Sequence, residues 1–121
     1  MTTPLGQIES QFADIVWENA PLTTRRLVEL CEEKINWKRT TTYTVLSKLC
    51  KRGLFHMEKK MVTVLRTKDE FMADCCESFV DRNLGGSLPA FVAAFSANRA
   101  LSEADVQELK AMIADFEAKQ K

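Results

Sequence analysis

The chain has 121 residues, 45% of them hydrophobic, with 17 basic and 17 acidic side chains and a formal net charge of zero. That length and apolar share suit one small domain, or a small domain with an appendage, and exclude an intrinsically disordered chain. No run approaches the roughly 18 to 20 apolar residues of a membrane helix, and the opening Met-Thr-Thr-Pro-Leu-Gly-Gln-Ile-Glu lacks the basic and apolar regions of a signal peptide, so the expected location is the cytoplasm, with no membrane insertion.

In chain order, Leu5, Ile8, Phe12, Ile15 and Val16 fall at helical spacing and predict a helix to Asn19. Asn19-Ala-Pro-Leu interrupts it, and Thr23 is positioned to cap a second helix that carries Leu27, Val28, Leu30 and Cys31 inward and ends near Lys34. A third helix is predicted from Arg39 or Thr40 to Arg52, with Gly53 as its left-handed stop. The period then changes to two: Leu54, His56 and Glu58 alternate with Phe55 and Met57, and Val62 and Val64 with Met61, Thr63 and Leu65, which predicts a β-hairpin around Glu58-Lys59-Lys60. Helical spacing returns from Asp69 to Leu84, and Gly85-Gly86-Ser87 breaks it. A short helix from Leu88 to Asn98 and a last one capped by Ser102 complete the chain. Three helices followed by a hairpin is the order of a winged helix-turn-helix. The expected fold is therefore mainly α with a small β-hairpin: a DNA-binding domain over residues 1–68 and a helical dimerisation segment over 69–121.

The zero net charge conceals an asymmetry. Residues 1–67 hold eleven lysines and arginines against seven acids, and residues 68–121 hold six against ten. Between Lys34 and Arg66 nine basic residues face one acid, Glu58, a local excess that calls for a polyanion or for a solvated surface. On the third helix Thr40, Thr44, Ser47, Lys48 and Lys51 fall in one arc flanked by Thr41 and Tyr43, opposite Val45, Leu46 and Leu49. Short hydroxyl side chains let a helix sink into a major groove about 12 Å wide and reach base edges, while the lysines and Arg39 meet phosphates. A solvated helix face could carry the same residues. The β-branched run Thr40-Thr41-Thr42 has poor helix propensity, which favours contact. Lys59 and Lys60 at the hairpin tip, with Arg66, are either a solvated turn or a wing that touches the backbone of an adjacent groove.

Catalysis lacks machinery: there is one histidine, His56, no phosphate-binding glycine loop after a strand, and no nucleophile with an evident base, so the chain reads as a non-enzyme with no cofactor. Cys31, Cys50, Cys75 and Cys76 lack Cys-x-x-Cys spacing, so no metal site is expected; they read as reduced thiols, three of them among apolar neighbours as small core residues, and the adjacent Cys75-Cys76 pair is the least accounted for. An alternative makes the adjacent Cys75 and Cys76 a redox or soft-metal sensor that controls DNA binding. For dimerisation, Phe71, Cys75 and Phe79 adjoin Met72, Cys76 and Val80 on one helix, and Val106, Leu109, Met112, Ile113 and Phe116 form a stripe on the last one. Together these are more apolar surface than a small domain can cover, so a second copy is the expected partner.

The string from Trp37 through Thr40-Thr41-Thr42-Tyr43-Thr44 and Lys48 to Gly53-Leu resembles the recognition segment of the penicillinase-repressor family, the BlaI/MecI and CopY group. So do Ile8-Glu9 through Val16-Trp17-Glu18 to Pro21-Leu22-Thr23, and Phe79-Val-Asp-Arg-Asn-Leu-Gly-Gly-Ser-Leu88. The resemblance implies a transcriptional repressor that binds an inverted-repeat operator as a homodimer through its C-terminal helices. Thr41 and Thr44 then match the operator-contacting threonines, with Tyr43 at the polar position between them. It further implies release by a membrane-bound sensor metalloprotease that responds to a β-lactam and cuts in the C-terminal region, where the matching pair is Ala94-Phe95. Three departures stand out: the wing is shorter and its turn lacks glycine, the C-terminal cysteine box of the copper-responsive members is missing, and where the family is cut at an Asn-Phe bond this sequence keeps the aromatic Phe95 but has Ala94 in place of the asparagine.

Overall fold

A computed structural model describes residues 2–120. Within them the chain runs α1 (Gln7–Asn19), β1 (Leu22–Thr23), α2 (Thr24–Ile35), α3 (Arg39–Lys51), β2 (Phe55–Glu58), β3 (Met61–Val64), α4 (Lys68–Leu84), α5 (Leu88–Asn98) and α6 (Glu103–Lys119). It is mainly helical with a small antiparallel sheet, as the periodicity predicts. Two compact units are present, Met1–Phe79 and Val80–Lys121. No helix among the described residues is long and apolar enough to cross a membrane.

In the first unit the helix ends obey local chemistry. Thr23 accepts a hydrogen bond from the Arg26 N–H at 3.1 Å and caps α2, which stops at Asn36 in the left-handed region. The helix α3 stops at Gly53, whose φ of +81° suits a residue without Cβ. A capping box starts α4: the Thr67 N–H donates to Glu70 Oε1 at 2.8 Å, and the Glu70 N–H donates to Thr67 Oγ1 at 3.1 Å. The hairpin pairs Phe55 with Val64 and Glu58 with Met61 across the two-residue turn Lys59-Lys60.

One strand was not expected from the sequence. Leu22–Thr23 pairs antiparallel with Val62 and Met61, giving a three-stranded sheet in the order β1-β3-β2. Two residues are too few to show a period of two, so only the pairing reveals this strand.

The core gathers Phe12 and Val16 from α1, Leu27 from α2, Leu46 and Leu49 from α3, and Leu54, Phe55 and Val62 from the hairpin, all essentially without solvent contact. Burying each large side chain of this kind is worth about 1.5–3 kcal/mol, which is what fixes α3 against α1 and α2. Trp17 meets Phe55 edge-on with ring centres 5.5 Å apart, lies 6.0 Å from Phe71, and donates its indole N–H to the Arg66 carbonyl at 2.9 Å. Lys68 pairs with Asp14 at 2.9 Å and holds the start of α4 to α1.

The second unit differs in kind. Ser87 caps α5 by accepting from the Ala90 N–H, and Ser102 caps α6 by accepting from the Asp105 N–H. None of its described residues is buried. A cavity of about 310 Å³ lies between its two helices, lined by Phe91, Val92, Phe95, Leu101, Leu109 and Met112 with Asp105 and Glu108.

Candidate nucleic-acid interface

The position of α3 follows from its inward residues. Leu46, Leu49 and Thr42 are buried, and Thr42 turns its hydroxyl back onto the Lys38 carbonyl at 3.2 Å. With that side fixed, Arg39, Thr40, Thr41, Thr44, Ser47, Lys48 and Lys51 are all exposed, and Tyr43 is half-buried beside them. Thr44 is exposed and donates its hydroxyl to the Thr40 carbonyl at 2.9 Å, which leaves its methyl and an oxygen lone pair uncommitted.

The hairpin tip comes to the same side. The backbone N–H of Thr24 donates to the Lys60 carbonyl at 2.9 Å, so the turn is fastened to the start of α2. A groove of about 470 Å³ results, lined by Thr24, Arg25, Val28, Glu29, Arg39, Tyr43 and Lys60. The Arg39 guanidinium sits over the Tyr43 ring at 5.6 Å. The hydrogen bond from Thr24 holds the Tyr43 phenol below its ordinary pKa, assisted by Arg39 and by the charge of Lys60. A second recess of about 380 Å³ between α3 and β2 is lined by Tyr43, Leu46, Ser47, Cys50, His56 and Met57. Arranged this way, the first unit presents hydroxyls, one aromatic ring and unburied cations on one helix and the adjoining turn. That combination can contact base edges and phosphates together.

Several sequence expectations land elsewhere. Arg66 does not join the wing: it pairs with Asp74 on α4, and its Nε is buried without a hydrogen-bond partner. Arg52 is likewise engaged, donating to the Thr3 carbonyl and lying over the Phe71 ring at 5.6 Å. Phe71 and Cys75, grouped with the dimer row from their spacing, are 3% and 8% exposed within the core of the first unit, since Trp17 and Arg52 already cover that side of α4. Phe79 is exposed and Val80 half-buried. On α6, Ile113 and Phe116 are 59% and 64% exposed, and Leu109 is half-buried. Ala94 and Phe95 are both exposed in the middle of α5.

The cysteines are all free. Burial raises the thiol pKa of Cys75, and of Cys31 and Cys50 as well, away from the thiolate a sensor would use. Cys76 is exposed. Among the described residues no cluster of three or more His, Cys, Asp or Glu could hold a metal.

Sequence reasoning missed Thr24, Arg25 and Glu9. Thr24 and Arg25 become neighbours of α3 only through the β1–β3 pairing. Glu9 approaches Lys48 at 3.4 Å from another helix, a contact with no local sequence signal.

The penicillinase repressor of Bacillus licheniformis is 22% identical to this chain over 121 residues, covering 97% of this chain and 94% of the relative. An uncharacterized 16.5 kDa protein in the ptsI 3′ region of Latilactobacillus sakei is 24% identical over 116 residues, covering 93% and 80% respectively. The family model for the penicillinase repressor matches residues 5–115. With that match spanning both units, the chain belongs to the penicillinase repressor family of DNA-binding transcriptional repressors.

Proposed function

We propose that this chain represses transcription as a homodimer on an inverted-repeat operator, each subunit laying α3 in a major groove with the Lys59-Lys60 turn against the adjoining backbone. The observation that carries the reading is the exposed arc of α3, where Thr40, Thr41, Thr44 and Ser47 stand beside Arg39, Lys48 and Lys51 while Lys60 shares a groove with Tyr43. Hydroxyls and threonine methyls suit base edges, and the cations suit phosphates. The need for a second copy is supported by a C-terminal unit that buries none of its own described residues and exposes Leu88, Phe95, Met112, Ile113 and Phe116. Twofold symmetry then sets two half-sites about one helical turn or a small multiple apart.

Release by proteolysis belongs to the same proposal. A cut at Ala94-Phe95 separates α6 from the DNA-binding unit, and a membrane-bound sensor protease responding to a β-lactam is the partner in keeping with a relative named penicillinase repressor. Because the bond lies within α5, the protease must unwind that helix to reach it.

A salt series on DNA from upstream of the chain's own gene tests the central claim. Operator affinity should fall with a log–log slope of about −0.9 per phosphate contact, several units for a dimer, and a scrambled duplex should bind far more weakly. Binding that ignores salt, or that treats the scrambled duplex as the operator, overturns it.

A further inference from the structure

Five cations lie on the face assigned to DNA, and one of them is already paired with a carboxylate. Among the described residues no carboxylate oxygen lies within 4.0 Å of a charged side-chain nitrogen of Arg39, Lys51, Lys59 or Lys60, whereas Lys48 Nζ is 3.4 Å from Glu9 Oε2. The pair is not a neighbouring-turn contact within one helix, because it joins α1 to α3. Arg52, the residue that follows α3, separately donates to the Thr3 carbonyl.

The two partners are unequally placed. The side chain of Lys48 is 63% exposed, as a phosphate ligand should be, while that of Glu9 is 24% exposed. Glu9 Oε2 is withdrawn from solvent and makes no hydrogen bond, so the ammonium of Lys48 is what offsets its charge. We infer that Glu9 is an intramolecular competitor for Lys48: its carboxylate takes the ammonium that a DNA phosphate would otherwise hold, and so lowers affinity for every duplex. The inference rests on the DNA-binding reading above. A phosphate drawn to Lys48 must share or displace the carboxylate, and the two anions repel each other across the same ammonium. Exposed pairs are weak and screened by salt, so DNA can still win the lysine, at a cost that fades as ionic strength rises.

Glu9→Gln keeps the shape and removes the charge. The wild type, E9Q, K48A and the double variant are titrated with the operator and with a scrambled duplex of equal length between low and moderate salt, after thermal melting confirms that each is folded. E9Q should bind both duplexes several-fold tighter at low salt, with a slope steeper by up to about 1.8 for a dimer, since two more lysines release counterions. The gain should shrink sharply once Lys48 is absent. An equal gain with and without Lys48 reduces the effect to general charge and overturns the inference, as does weaker binding by E9Q, which would make Glu9 a positioning residue for Lys48. If none of the four proteins binds either duplex, the DNA-binding reading itself fails, and this inference with it.

Discussion

The backbone N–H of Thr24 donates to the carbonyl of Lys60 at 2.9 Å, tying the tip of the hairpin to the first residue of α2. Through it the wing is anchored to α2, the helix against which α3 also packs. The bond uses backbone atoms on both sides, so either side chain can change while the anchor stays.

That separation of backbone from side chain gives a prediction with opposite signs. Lys59 and Lys60 have φ of 51° and 63°, as a two-residue hairpin turn requires, and a residue with a Cβ adopts that region at a cost of about 1–2 kcal/mol. Lys60→Gly should raise stability in urea denaturation by up to about 1 kcal/mol. It should also weaken DNA binding and flatten the salt slope by about 0.9 per subunit. Loss of stability would mean that the Lys60 side chain contributes packing, and unchanged affinity would remove the wing from the interface.

Thr44 has its hydroxyl proton committed to the Thr40 carbonyl, leaving a methyl and a lone pair for the groove. Thr44→Val retains a methyl and removes the oxygen, whereas Thr44→Ala removes both groups. If the methyl reads a thymine, the valine variant keeps base preference and the alanine variant loses about 1 kcal/mol or more per half-site, measured as the operator-to-scrambled affinity ratio. Lys51→Ala should instead weaken both duplexes alike. Equal losses for both Thr44 variants would assign recognition to the oxygen.

The thiols should separate by burial. Cys76 is exposed, while Cys31 and Cys75 are buried and have raised pKa values, as does the half-buried Cys50. An aromatic disulfide reagent near pH 8 should label one thiol quickly and the other three at the rate of local opening. Since burial raises the folded-state pKa, the stability these thiols contribute is fully present below the unfolded thiol pKa and is lost as pH rises through the folded values. Thermal stability should therefore decline on the alkaline side of the ordinary thiol pKa, and less steeply in a Cys31→Ala variant measured against its own neutral-pH value. Rapid labelling of Cys75 alongside Cys76 would favour the paired-thiol sensor.

The outward face of α3 was legible in the sequence because its signal is local: Leu46 and Leu49 recur at helical spacing and oblige Thr44, Ser47, Lys48 and Lys51 to face away from them. Caps were legible at Thr23 and Ser102 for the same reason. What was not legible depends on partners distant in the chain. The apolar row of α4 shows from its spacing that Phe71 and Cys75 need cover, but not that Trp17 and Arg52 provide it. Arg66 reads as a wing cation until Asp74 engages it, and Leu22–Thr23 reads as loop until Val62 pairs with it. A charge in a sequence has no direction, and direction decided which of the basic residues face outward.

The C-terminal unit supplies the last prediction. Its helices are regular and capped, yet none of its described residues is buried, and Ile113 and Phe116 stand on α6 more than half exposed. On the homodimer proposed above, a second copy covers this unit, at about 1.5–3 kcal/mol for each large apolar side chain buried. Ile113→Asp in the full chain places an unpaired charge at the centre of that surface. Sedimentation should then report a monomer whose thermal melting resembles the wild type in the first unit, whose core lies wholly within Met1–Phe79. Its operator affinity should fall far more than its affinity for a single half-site if pairing couples the two α3 helices on the operator as proposed. The truncated chain 1–94, which imitates a cut at Ala94-Phe95, should match it in both measurements. If either protein remains a dimer with full operator affinity, the subunits pair elsewhere and cleavage in α5 cannot release the operator.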